Sequence, residues 1–71
     1  MIPGKNVTAG NYFTIGSHRD DVVRLQGTPQ CIYNLYDEEE WSYGFSSVTI
    51  SKSTNRVVRW SNIGGNLNIY Q

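Results

Sequence analysis

The hydrophobic pattern changes period once, at Gly27-Thr28-Pro29, and this divides the chain into a helical part and a sheet-forming part. Before the change, Val22 and Leu25 stand three apart with Val23 and Gln26 beside them, the spacing of one helix face. After it, Cys31, Tyr33 and Leu35 alternate with Ile32, Asn34 and Tyr36, the period of a strand. Gly27 suits the left-handed backbone past a helix end, and Pro29 has no N–H with which to continue the helix.

The helix is predicted over residues 17–26, with Ser17 as N-cap, Asp20 completing a capping box, and Asp20 and Asp21 in the first turn where the helix dipole favours negative charge. Residues 31–36 form the first strand, and Asp37-Glu38-Glu39-Glu40 reads as a solvated loop. Trp41, Tyr43 and Phe45 then share a face of the second strand, Val48 and Ile50 one of the third, and Val58 and Trp60 one of the fourth. A two-residue turn at Ser46-Ser47 would pair Phe45 with Val48, Tyr43 with Ile50 and Trp41 with Lys52. A three-residue loop at Ser53-Thr54-Asn55, with Asn55 left-handed, would pair Ile50 with Val58 and Val48 with Trp60. Gly64-Gly65 makes a turn, and Leu67 and Ile69 form a short terminal edge strand with free backbone groups.

The order predicts an α+β fold: one short capped helix, with Ile15 before it, packed on a curved antiparallel sheet of about four strands in meander order. Residues 13–71 make the single domain. Residues 1–12, with Pro3, Gly4 and Gly10 and no period, read as a flexible arm. A helix about 10 Å across is too narrow to cover four strands about 4.8 Å apart. Aromatic sheet surface is therefore expected to stay open, or to be covered by the arm or a second chain.

Several function classes are disfavoured by composition. With 71 residues there is room for one domain, and six Lys/Arg balance six Asp/Glu, without the basic excess of a dedicated nucleic-acid or anionic-membrane binder. One cysteine makes no internal disulfide. No apolar run reaches the roughly 20 residues of a membrane span, and the first residues lack an export signal, so a cytoplasmic location is expected, with envelope association only through a partner.

The segment Phe13-Thr14-Ile15-Gly16-Ser17-x-x-Asp20-x-Val22, followed by Leu25-x-Gly27-x-Pro29, Trp41-x-Tyr43-Gly44 and Val57-Val58-x-Trp60, resembles the SmpA/OmlA (BamE-like) family of small bacterial domains. The resemblance spans about residues 13–61. It implies a non-enzymatic scaffold that binds protein, as in outer-membrane assembly, and a related sheet-plus-helix architecture inhibits enzymes through an aromatic sheet face. Two features depart from the family pattern: residues 1–12 do not look like its preceding helix, and Cys31 lies mid-chain, away from any lipoprotein cleavage site.

We assign no catalytic, cofactor-binding or metal-binding residue. Ser17, His18, Asp20 and Asp21 have the residue types of a hydrolytic triad, but neighbours on one helical turn point apart and do not converge. His18 and the acidic run lack the ligand spacing of zinc or calcium sites. Cys31 reads as a small buried apolar side chain. The expected role is a protein-interaction or assembly module, with an unidentified protein partner or a homodimer, working through an aromatic sheet face or a strand edge. Its candidate binding surface is Trp41, Tyr43, Trp60, Tyr36 and Arg59. The alternative is a weak single-stranded nucleic-acid binder, in which Trp41, Tyr43, Tyr33, Tyr36 and Trp60 stack bases beside Lys52, Arg56 and Arg59.

Overall fold

The computed structural model describes residues 12–69. A helix, α1 (Arg19–Gln26), precedes four strands: β1 (Cys31–Asn34), β2 (Glu38–Tyr43), β3 (Ser46–Ser51) and β4 (Val57–Ser61). The strands form one antiparallel sheet in the order β1-β2-β3-β4, so the chain is α+β with a meander. Of the expected N-terminal arm, only Tyr12 lies within the described residues, and it is exposed. Among the described residues no helix is long and apolar enough to cross a membrane.

The helix starts one residue later than its sequence suggests. His18 is the N-cap, its Nδ1 accepting the Asp20 N–H at 3.1 Å. Ser17 is buried and committed elsewhere: its Oγ accepts the Thr14 N–H at 2.9 Å, and its carbonyl accepts the Val57 N–H at 2.9 Å. The bond to Val57 ties residue 17 to the sheet, so the Ser17–Asp20 capping box does not form. The stop agrees with expectation: Gly27 has φ 88° and donates its N–H to the Val23 carbonyl.

The first hairpin register differs from the expected one, and the second agrees with it only in part. The first turn is Gly44-Phe45, because Gly44 takes φ 68°, as the first central residue of a tight hairpin turn requires. Tyr43 therefore pairs with Ser46, and Trp41 with Val48 instead of Lys52. Phe45, expected on the apolar face, stands 86% exposed at the tip. Trp41, Tyr43, Val48 and Ile50 still share one face, because the two registers differ by an even number of residues. In the second hairpin Asn55 has φ 59° and Val48 pairs with Trp60, as predicted. A register shift at Thr49/Ile50 then brings Val57, not Val58, opposite Ile50. Val57 thereby fills the core, while its backbone accepts from the Gly16 N–H and donates to the Ser17 carbonyl.

The acidic run is not a loop. Glu38, Glu39 and Glu40 belong to β2 and are half-buried. Two of them have cationic partners distant in sequence: Arg59 on Glu38, and Arg19 on Glu39 at 3.3 Å. β1 is shorter than residues 31–36, and Cys31, expected to be buried, is exposed because β1 is an edge strand.

The core comprises Phe13, Val22, Trp41, Tyr43, Val48, Ile50, Val57, Leu67 and Ile69, with Leu25 and Trp60 packed against it. Ile15, expected in this layer, is exposed, and Phe13 lies in the core. Leu67 and Ile69 do not extend the sheet as an edge strand. Ile69 makes an isolated parallel bridge to Phe13, whose N–H donates to the Asn68 carbonyl at 2.9 Å. The Gln26 side chain clamps this C-terminal segment to the helix, donating to the Asn66 carbonyl at 2.8 Å and accepting the Asn68 N–H at 2.7 Å. Asn68 returns a bond to the Leu25 carbonyl. Replacing Gln26 with Ala is expected to cost about 1–2 kcal/mol, two net hydrogen bonds. A shift of the urea midpoint at unchanged slope would report it, and an unmoved midpoint would show the clamp to be energetically idle.

Candidate docking surface

The five residues expected to form one binding surface are dispersed. Trp41 is 2% exposed and lies in the core. Its indole N–H donates to Glu39 Oε1 at 3.0 Å, and the Arg19 guanidinium lies 5.2 Å from the ring centroid. Arg19 also donates to Glu39 Oε1 and to Asn55 Oδ1, each at 3.3 Å, so helix start, β2 and the second hairpin loop meet over this ring. Tyr43 is also buried, and its hydroxyl donates to the Gly27 carbonyl at 2.8 Å, tying β2 to the helix end. Trp60 is half-buried at the core rim, where its Nε1 meets no acceptor among the described residues. Arg59 lies on the opposite sheet face, paired with Glu38. Tyr36 is 99% exposed beyond the end of β1.

Burial pushes the Tyr43 phenol from 10.0 up to about 12. The neutral phenol is the form that donates to Gly27, so its contribution is complete below pH 10 and is lost as pH rises through 12. Tyr43→Phe is expected to be less stable than the parent by about 1 kcal/mol near neutrality. The two stability curves should converge between pH 10 and 12, a range bounded by the phenol's ordinary and folded values. Parallel curves across that range would contradict the assignment.

The helix alone leaves sheet uncovered, as its width requires, but the segments before the helix and after β4 complete the cover. Phe13, Leu67 and Ile69 close the face that α1 leaves open, so the ring-bearing face of β2 and β3 is not an outer surface. Ile32, Tyr33, Leu35 and Tyr36 form a run of exposed apolar side chains along β1 and just after it, while Tyr12, Ile15, Val23, Phe45 and Ile63 are exposed elsewhere. The segment Cys31–Tyr36 carries no charge and no proline. The Leu35 N–H donates to the Glu38 carbonyl at 2.9 Å, continuing the β1–β2 ladder. In an antiparallel ladder alternate residues exchange bonds, so Leu35, Tyr33 and Cys31 face β2, and Ile32 and Asn34 turn their N–H and C=O outward. At the other side of the sheet, Gly16 and Ser17 already occupy the outward backbone groups of Val57, and His18 bridges to Arg56.

The free edge lies at β1 and not at Leu67/Ile69, where the sequence suggests it. The order of a meander held the better signal, since its first strand is an edge by construction. Elsewhere, Ser17 and His18 serve the turn and the helix cap, and among the described residues no three His, Cys, Asp or Glu side chains form a cluster that would hold a metal. Comparison with protein-family models, characterised proteins and solved structures finds no match to the chain.

Proposed function

We propose that the chain is a non-enzymatic protein-interaction module that takes up an extended strand of its partner along β1. The observation that carries this reading is an edge strand with outward backbone groups at Ile32 and Asn34, flanked by the exposed apolar side chains of Ile32, Tyr33 and Leu35. Protein sheets ordinarily protect such edges with short length, lysine, proline, a bulge or a covering loop, and β1 is itself only 4 residues long. Residues 31–36 contain no charged residue or proline. Strand addition draws affinity from main-chain hydrogen bonds and specificity from the alternate side chains. The resemblance of residues 13–61 to the SmpA/OmlA pattern points to the same class of role. The nucleic-acid alternative has no comparable support, because Trp41 and Tyr43 offer no open ring face and Arg59 is paired with Glu38.

The test is affinity capture from the native cell with the full chain and its Asn34→Pro variant. Proline removes one outward N–H and is tolerated on an edge strand. A partner retained by the parent and lost by the variant supports the reading. A partner retained equally by both would overturn it.

A further inference from the structure

We infer that β1 pairs with β1 of a second copy of this chain, in an isologous antiparallel dimer centred on Tyr33. This rests on the reading of β1 as a docking edge and names its partner. The first argument is hydrogen-bond phase. The outward residues are Ile32 and Asn34, and an antiparallel pair places its bonds between residues that are outward on both strands. Three registers satisfy this near the strand centre: Ile32 opposite Ile32 of the other copy, Ile32 opposite Asn34 with Tyr33 on the dyad, or Asn34 opposite Asn34, which would draw on Tyr36 beyond the end of β1. The first would also require Gln30 to offer its N–H to the other copy, but that N–H donates to the Ser42 carbonyl at 2.8 Å. The second uses only Ile32 and Asn34, and sets Cys31 opposite Leu35 and Tyr33 opposite Tyr33.

Charge is the second argument. The paired segment is uncharged, and the nearest acids, Asp37 in sequence and Glu40 on β2 opposite Tyr33, lie outside the strand that pairs, so two copies meet without like charges in the strand. Closure is the third. A strand edge that meets itself about a dyad is used up once two copies have paired, so this contact ends at two copies. One strand pair lies at the small end of specific interfaces, below about 1,200 Å², so this dimer dissociates on dilution.

Sedimentation equilibrium of the full chain over a wide concentration range is the test. The parent should show a monomer–dimer equilibrium. Tyr33→Lys places two like charges directly opposite each other, and Asn34→Pro removes a donor; each should raise the dissociation constant at least about tenfold. Circular dichroism checks that both variants keep the fold, and the exposed site of Tyr33 makes its variant the safer of the two. Mild oxidation tests the register. Tyr33→Cys in a Cys31→Ser background should cross-link, because facing residues without mutual bonds lie about 4.5 Å apart between Cα atoms. Native Cys31 should not, since its two copies stand roughly 13 Å apart along the strands. A chain that stays monomeric throughout, a dimer indifferent to both folded variants, or cross-linking through Cys31 but not residue 33 would overturn the inference. A monomer whose capture of another protein still depends on Asn34 would remove self-pairing and leave the docking edge standing.

Discussion

A chain that stops at Gly65 is expected to lose cooperative unfolding. Leu67 and Ile69 sit in the core although they lie outside every helix and strand, and Asn68 ties them to Phe13, Leu25 and Gln26. Each buried aliphatic side chain contributes about 2–5 kcal/mol. A domain this small has a total stability of only about 4–11 kcal/mol at 0.05–0.15 kcal/mol per residue. The two losses together match the whole. Near-UV circular dichroism with thermal unfolding checks this: the truncated chain should show a flat or very broad transition. A sharp transition at the parent midpoint would mean that the C-terminal segment is not part of the core.

The second large effect is expected at Phe13. Phe13→Ala should destabilise the protein by about 3–5 kcal/mol, because it removes the largest side chain of the cover and leaves a cavity over the sheet. Two controls share its chemistry but not its place. Phe45→Ala and Tyr36→Ala remove exposed rings and should change stability by no more than about 0.5 kcal/mol. Denaturant unfolding of the three variants separates packing from aromatic content. Equal effects at Phe13 and Phe45 would contradict the arrangement of the core.

The contrast between these rings shows what the sequence conveys. Period and punctuation carried the element types: Gly27 and Pro29 end the helix, Asn55 is left-handed, and the apolar residues of β2 and β3 share a face. These depend on residues within a few positions of each other. What failed depends on distant partners. The half-burial of Glu39 rests on Arg19 and the Trp41 indole N–H, and Arg19 lies 20 positions away. Ser17 lost the cap position because its backbone is needed by Val57. Phe45 is the local exception: the positive φ of its neighbour Gly44 fixes the turn and leaves the ring at the tip. The expected aromatic surface shared this weakness. Narrowness of the helix was a sound argument for missing cover, but it could not say that Phe13 and Leu67–Ile69 supply it.

Closing that face moves the candidate for docking from aromatic rings to backbone. The exposed strand needs no pocket and no cofactor, only an extended partner in the right phase. Residues 31–35 are therefore where substitution should alter association with little effect on the core, since none of them belongs to it.

Residue-resolved amide exchange of the dilute full chain tests this edge most directly. The N–H groups of Tyr33 and Leu35 should exchange slowly, held by β2, while those of Ile32 and Asn34 should exchange at nearly unprotected rates. Slow exchange at Ile32 and Asn34 in dilute solution would mean that the edge is already occupied within the chain, and fast exchange at all four would mean that β1 is not paired with β2.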